Sequence, residues 1–234
     1  MGDRSLASRL YDDFINQNRY MYLVRGLGNT VLITIFALLI GVIIGVIIAL
    51  IRVNYHQSRK KSILLRIANL VCGLYLTVIR GTPMVVQLMI MYFVIWASGA
   101  PIMIAIVSFG LNSGAYVAEV IRSGIQSVDR GQTEAGRSLG LNAHQTMLNI
   151  ILPQAFKNVA PAIFNEFIVL LKETSVAGYV GIQDLTKGGD IIRSITYDAF
   201  PPLLVVASVY LVIVILLTQV LHVIEGRLAK SDLR

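Results

Sequence analysis

Residues 24–51 form an apolar run that constrains the fold more than any other feature of the chain. This run, VRGLGNTVLITIFALLIGVIIGVIIALI, has no charged side chain after Arg25, and a helix needs about 20 apolar residues to cross a bilayer. The whole chain is 56% hydrophobic and 14% charged, whereas a soluble domain carries about 25% charged residues. The sequence therefore predicts a polytopic membrane protein of the all-α class. Gly41 and Gly45 have a small-xxx-small spacing, which either marks a helix contact or reflects how common glycine is in membrane helices.

The residue inventory argues against several other classes of protein. The single Cys72 rules out an internal disulfide framework and a multi-cysteine metal site, and His56, His144 and His222 are dispersed, so no metal site is predicted. The chain has no GxxxxGK[ST] phosphate loop, HExxH motif or GxSxG motif. The net charge of +7 is interpreted as cytoplasmic Lys and Arg rather than as a nucleic-acid-binding surface. Because residues 1–22 are polar, no cleavable signal peptide is expected.

Basic residues orient the predicted spans. The loop at 52–66 contains no acidic residue and five basic ones, Arg52, Arg59, Lys60, Lys61 and Arg66, so the positive-inside rule places it in the cytoplasm. Pro83 is predicted to kink a helix at RGTP because proline removes a hydrogen-bond donor. We predict five spans, with the N-terminus outside and the C-terminus inside, at about 24–51, within 63–97, and at 101–126, 160–181 and 200–223. They would form one transmembrane domain, 1–234, with an extracytoplasmic segment at 1–23 and a cytoplasmic loop at 127–158.

A polar island, GQTEAGRSLGLNAHQTMLNIILPQA, occupies residues 131–155. Gly140 can end a first short helix in the left-handed conformation, and Asn142 with Gln145 resembles the capping box of a second. The apolar residues Met147, Leu148 and Ile151 would share one helix face, Pro153 would mark an end or a kink, and Glu134 would be placed to pair with Arg137. From the residues alone, the island is either a solvated loop or an element that docks a partner.

Polar residues also lie within the predicted spans. Ser108, Asn112, Tyr116, Glu119, Ser123 and Gln126 recur at intervals of 3 or 4 residues, which makes one stripe along a helix. Because a carboxylate in a membrane faces a cavity or a partner, Glu119 either pairs with Arg122 or contacts a substrate. The same alternatives, contacts between helices or contacts with a substrate, apply to Asn165, Glu166, Lys172 and Glu173. Arg80 is expected to be structural or to form a gate.

Several segments resemble the polar amino-acid permeases of ABC importers, the histidine/glutamine type. They are YLTVIRGTPMVVQL (75–88), GAYVAEVIRSGIQSVDRGQTEAGRSLG (114–140), ILPQA (151–155) and LLKETSVAGYVGIQDL (170–185). The island resembles the "EAA loop" of such permeases, with Glu134, Ala135, Gly140, Leu152 and Pro153 in the matching positions. Gly136 departs from the usual second alanine, which is expected to weaken the first short helix by up to about 1 kcal/mol.

The resemblance implies a transport subunit of the bacterial cell membrane rather than an enzyme. The loop would couple to a separate ABC ATPase dimer through Glu134, Ala135, Gly136, Arg137, Gly140, Leu141 and Asn142. The substrate path would include Ser108, Asn112, Tyr116, Glu119, Asn165, Glu166, Lys172 and Arg80. This chain would bind no cofactor, since ATP and Mg²⁺ would be held by the ATPase.

The other implied partners are an extracytoplasmic amino-acid-binding protein, a second permease copy or a paralogue, the amino-acid substrate and the lipid bilayer. Two functions of other classes compete with this interpretation. One is a membrane scaffold or sensor that recruits a cytoplasmic partner without transport, and the other is a small ion channel. The polar stripe favours transport over a scaffold, and the match to a coupling loop argues against a channel.

Overall fold

The computed structural model describes residues 6–58 and 61–230. Arg59, Lys60 and Arg234, which contribute to the predicted cytoplasmic charge, lie outside the described residues. Within them the chain is helical, and the α-helices in chain order are α1 Leu6–Leu10, α2 Tyr20–Gln57, α3 Ile63–Gly81, α4 Met84–Ile90, α5 Pro101–Gln126, α6 Arg130–Ser138, α7 Ala143–Thr146, α8 Leu152–Glu173, α9 Leu185–Thr196 and α10 Phe200–Lys230. The predicted all-α class is confirmed.

Four helices of the described part of the chain are long and apolar enough to cross a membrane, namely α2, α3, α5 and α10. The helix at the fourth predicted span, α8, has 22 residues, which is also a spanning length. Its polar side chains, among them Lys157, Glu166 and Lys172, lower its hydropathy. The count of five spans and their orientation stay predictions.

Three predicted boundaries were wrong. Pro83 does not kink a continuous helix: α3 ends at Gly81, and Pro83 is the extended N-cap residue of α4. The helix predicted to begin near residue 160 begins at Leu152 and ends at Glu173, where a tighter 3₁₀ turn follows over Thr174–Val180. Helix α2 extends beyond the predicted span, so that Arg52 lies in a helix rather than in a loop.

The chain divides into two compact units, and the first comprises 1–37, 83–109 and 168–218. Its core is built by Phe14, Leu23, Leu185, Ile192 and Val206. The buried hydroxyl of Thr30 accepts a hydrogen bond from the backbone N–H of Leu185 at 3.1 Å. A Cβ at Gly188 would lie 2.6 Å from the carbonyl oxygen of Tyr22, so the absence of a side chain lets α9 approach the backbone of α2.

The second unit comprises 38–82, 110–167 and 219–234, and its core is built by Ile48, Cys72, Leu76, Ala115 and Ala118. Here α2 packs closely on α5, because a Cβ at Gly41 would lie 2.9 Å from Ser113 Oγ and one at Gly45 would lie 2.6 Å from Val117 Cγ1. The small-xxx-small spacing therefore marks a helix contact, one of the two alternatives left open by the sequence. The single permease domain predicted from the sequence stays a prediction.

Candidate functional site

An ionic cluster of Arg80, Glu119 and Arg122 lies in the second unit. Arg122 Nε donates to Glu119 Oε2 at 3.0 Å, and its Nη2 donates to Glu119 Oε1. These residues are three apart on α5, so one helical turn brings them together. Arg80, in the last turn of α3, places its Nη1 3.8 Å from Glu119 Oε2 and its guanidinium 5.7 Å from the centre of the Tyr116 ring. The pairing of Glu119 with Arg122 is thus present, and a substrate contact by Glu119 stays a prediction.

Two cavities of the second unit share Arg80, Tyr116 and Glu119. One has a volume of about 540 Å³, and its other lining residues include Ser123, Ser127, Asn158 and Glu166. The other has a volume of about 570 Å³, and its other lining residues include Arg52, Gly73 and Thr77. The side chains of Arg80 and Glu119 are 42% and 29% exposed, so the cluster is accessible to a polar solute.

Glu166 extends the polar lining of the first cavity from α8. Its Oε1 accepts a hydrogen bond from Ser113 Oγ at 3.0 Å. Nearby in the lining, Asn158 Nδ2 donates to Ser127 Oγ at 2.8 Å. Sequence reasoning missed Ser127 and Asn158 because it assigned both to the cytoplasmic loop, and it missed Arg52 because it assigned that residue to the basic loop. The apolar residues of α8 have helical spacing. This pattern could have indicated a longer helix, which would have included Asn158.

Four predicted residues of the substrate path line neither cavity. Ser108 is buried in the first unit, where its hydroxyl donates to the carbonyl of Ile104 at 2.7 Å. Asn112 is also buried, whereas Asn165 and Lys172 are exposed. The polar stripe of α5 therefore changes character along the helix, from buried side chains to cavity-lining ones. In the described residues, no group of three His, Cys, Asp or Glu side chains is placed to hold a metal ion.

The polar island forms two short capped helices, as predicted. Gly140 has φ +83°, its N–H bonds to the carbonyl of Arg137 at 3.1 Å, and the N–H of Leu141 bonds to the carbonyl of Gly136 at 3.2 Å. These two bonds form a Schellman motif, which requires a left-handed residue at its turn. The predicted capping box is also confirmed, because Asn142 and Gln145 exchange side chain to backbone hydrogen bonds, each 2.9 Å long.

Gly136 allows α6 to pack tightly on the segment that follows. It is buried, and a Cβ there would lie 2.8 Å from Thr146 Cγ2 and 2.9 Å from Ile150 Cδ1. Glycine at position 136 therefore permits this close packing, although it lowers the helix propensity of α6. Pro153 does not end a helix: a wide π-helical turn, Met147–Ile151, precedes it, and α8 continues through it.

Most of the predicted coupling residues are exposed, namely Glu134, Ala135, Arg137, Gly140 and Asn142, whereas Leu141 is half-buried and Gly136 is buried. No ion pair joins Glu134 to Arg137 in the described chain. Of the predicted apolar face, Ile151 is buried and Met147 is half-buried, whereas Leu148 is 47% exposed. Sequence reasoning missed Leu139, the C-cap residue that follows α6, which is 81% exposed. A cavity of about 650 Å³ lies in this region, lined in part by Arg130, Arg137, Thr146 and Met147.

Comparison with known proteins establishes the family. Residues 41–230 match the family described as "binding-protein-dependent transport system inner membrane component". The chain belongs to this family. It is 38% identical to a putative glutamine transport system permease protein of Rickettsia bellii over 217 residues, which cover 91% of this chain and 95% of the relative. It is 34% identical to an arginine transport system permease protein of Bacillus subtilis over 220 residues, which cover 90% and 94%.

A solved structure also resembles the chain. It is described as an amino acid ABC transporter with histidines, and the matching chain has 37% sequence identity and a TM-score of 0.83. The match covers 97% of this chain and 100% of that one. The resemblance seen in the sequence motifs is therefore confirmed.

Family membership confirms further predictions. The chain is a membrane permease subunit of an ABC importer and not an enzyme, since ATP hydrolysis belongs to a separate subunit. Importers of this family work with an ATPase and with a substrate-binding protein. The chain is a multi-pass protein of the bacterial cell membrane.

Proposed function

We propose that this chain carries a polar amino acid into the cell. It does so as one of two permease subunits, paired with a second copy or a paralogue. A separate ATPase dimer holds ATP and Mg²⁺, and this chain binds no cofactor. A binding protein on the extracytoplasmic side delivers the amino acid.

The cluster of Arg80, Glu119 and Arg122 beside two cavities is the observation that carries this proposal. A zwitterion leaving water needs both a cationic and an anionic partner, because an uncompensated charge in an apolar medium costs several kcal/mol or more. Arg80 can serve the carboxylate, and Glu119 or Glu166 can serve the ammonium group. Arg80 lies 3.8 Å from Glu119, whereas Arg122 holds the same carboxylate with two nitrogens. Arg80 is therefore the cation that is more readily released to a substrate.

The names of the relatives support the substrate class. One relative is named for glutamine and another for arginine, and these two amino acids share only their α-carboxylate and α-ammonium groups among charged features. A cluster that recognises these shared groups would suit either side chain. The side chain would then be selected elsewhere, by the cavity walls or by the binding protein.

The capped loop at 127–158 is the proposed contact with the ATPase. The Schellman motif and the capping box fix the two short helices relative to each other, so the loop can transmit a rigid-body displacement. Its exposed residues Glu134, Ala135, Arg137 and Asn142, with Leu139, present both charge and apolar surface to a groove on the ATPase. Gly140 adopts the left-handed conformation of the turn, and Gly136 allows α6 to pack closely on the segment that follows. The backbone N–H of Leu141 donates the second hydrogen bond of the Schellman motif.

ATP hydrolysis by the assembled importer tests this proposal. The permease and its ATPase are reconstituted in nanodiscs, and the binding protein is added either empty or loaded with a polar amino acid. We expect the loaded form to stimulate hydrolysis, and we expect Arg80→Gln to weaken that stimulation about tenfold, the effect of losing a charged hydrogen bond. Arg227→Gln, a charge removal in the last turns of α10, is the matched control. If no loaded binding protein stimulates ATP hydrolysis, the result would contradict the proposed function.

A further inference from the structure

Helix α9 has one face buried in the first unit and one face free. Leu185, Gly188, Gly189 and Ile192 form the buried face. On the opposite face, Asp190 pairs with two cations: Lys187 Nζ lies 2.8 Å from Asp190 Oδ2, and Arg193 Nη2 lies 2.5 Å from Asp190 Oδ1. The pairing with Lys187 and then with Arg193 lowers the pKa of Asp190. The carboxylate stays ionised at neutral pH, and the triad has one net positive charge.

This free face ends in an aromatic residue held in an unusual conformation. Tyr197 has φ 55° and ψ 21°, a left-handed region that residues with a Cβ rarely adopt. Its side chain is 95% exposed, and that of Phe200, at the start of α10, is 59% exposed. Residues held in sparsely populated backbone regions cluster at functional sites. A large ring that is nearly fully exposed has no role in the core of the folded chain.

The surrounding contacts fix the conformation of Tyr197. Arg9 of α1 donates two hydrogen bonds to the neighbouring Asp198, at 2.7 and 2.5 Å. The backbone N–H of Asp198 lies 3.3 Å from the Thr196 hydroxyl, and that of Phe200 lies 3.3 Å from Asp198 Oδ1. The turn is therefore held from both sides, so the ring is presented by an ordered backbone.

A small cavity opens beside this face. It has a volume of about 320 Å³ and is lined by Ser175, Gly178, Tyr179, Thr186, Lys187, Asp190 and Leu203. A cavity of this size accepts a single side chain of another protein. Tyr179 at its rim is 74% exposed, which adds a second aromatic ring to the same surface.

We propose that the docking face, which comprises Lys187, Asp190, Arg193, Tyr197 and Phe200, receives the substrate-binding protein through an acidic patch on that protein. The inference rests on the proposed function and on the predicted topology, in which the segment between the spans at 160–181 and 200–223 lies outside the cell. The positive charge of the triad complements an acidic partner, and tyrosine is among the residues that most often anchor an interface. The docking face carries three ionised side chains, whereas the exposed faces of α3 and α10 are predominantly apolar. This difference favours a protein partner over lipid.

Affinity measurements on the assembled importer test the inference. The probe is the binding protein that supports transport in the reconstituted system, titrated onto the importer in nanodiscs. We expect Tyr197→Ala and Tyr197→Gly each to weaken binding about tenfold or more, as for an anchor residue. The glycine variant removes the ring and also relieves the backbone strain, so it separates the ring from the strain. Arg193→Glu is expected to weaken binding as well, and less so at high salt.

Phe93→Ala is the matched control, because Phe93 is also an exposed aromatic residue of the first unit, with 57% exposure, and it belongs neither to α9 nor to the turn that follows α9. All variants should keep the basal ATP hydrolysis measured without binding protein. Unchanged affinity in Tyr197→Ala, or an equal loss in Phe93→Ala, would overturn the docking face alone. If no binding protein supports transport by the wild-type importer, the proposed function fails together with the inference.

Discussion

Replacing Gly140 with leucine should uncouple the permease by straining one turn. Gly140 has φ +83°, and no heavy atom lies within 4 Å of the position that a Cβ would take, so the cost comes from the backbone and not from a clash. A residue with a Cβ in a left-handed conformation costs about 1–2 kcal/mol. Relaxing the turn instead would break the bonds donated by Gly140 and Leu141, each worth about 0.5–1.5 kcal/mol. The strained turn thus costs about 1–2 kcal/mol and the relaxed turn about 1–3 kcal/mol. The less costly response, about 1–2 kcal/mol, lowers the population of the capped loop about 5- to 30-fold.

A series of substitutions at Gly140 tests whether backbone strain is the cause of the uncoupling. Asparagine tolerates the left-handed region and valine is a poor fit to it, so coupling should decrease from glycine to asparagine, then leucine, then valine. Coupling is measured as hydrolysis stimulated by the loaded binding protein and as co-purification with the ATPase. Gly226→Leu is the control, since Gly226 also has no neighbour within 4 Å of its Cβ position but has no positive φ. Equal, normal coupling in the leucine, valine and asparagine variants would refute the reasoning.

Three further predictions follow from the contacts described above. Glu119→Gln should lower uptake about tenfold. If this variant is also expressed at a lower level, adding Arg122→Gln should restore expression but not uptake. Recovery of both expression and uptake would mean that the pair has only a structural role. The hydrogen bond from Arg9 lowers the pKa of Asp198, so this pair stabilises the fold above the usual aspartate pKa of about 3.9, and that stability is lost as pH falls through the lower folded value. The protection factors of the α1 amides, which correct for the intrinsic pH dependence of exchange, should therefore be unchanged near about pH 5 and fall below about pH 4, and Asp198→Asn should abolish that decrease. A cysteine at Ala143 should react with an impermeant maleimide only from the cytoplasmic side, and labelling from outside would end the predicted topology.

Features that depend on neighbouring residues in the chain were predictable from the sequence. The capping box of Asn142 and the left-handed Gly140 were found because local backbone chemistry determines both. The pairing of Glu119 with Arg122 was anticipated as one of two alternatives, since the residues are one turn apart on a single helix. The all-α membrane fold follows from long apolar runs, whose burial in lipid leaves few other solutions.

Features that depend on distant residues were not predictable in the same way. Arg80 approaches Glu119 only because α3 packs beside α5 in the second unit, and no spacing along the chain encodes that contact. The tight packing of Gly136 on Thr146 depends on how α6 folds back over the following turn. The start of α8 at Leu152 was missed because Pro153 suggested an end, although proline is tolerated in the first turn of a helix. Nothing in the sequence indicates the left-handed conformation of Tyr197, because such positions usually hold glycine or asparagine.

The most direct test of the central claim is accumulation of a polar amino acid inside proteoliposomes. The vesicles contain this permease with its partner subunits, radiolabelled amino acid and binding protein are supplied on the extracytoplasmic side, and ATP is supplied on the ATPase side. Concentrative uptake that requires both ATP and the binding protein is the predicted result, with glutamine and arginine as the first substrates to examine. Uptake that proceeds without ATP, or no uptake of any polar amino acid by a complex that assembles and hydrolyses ATP, would contradict the account.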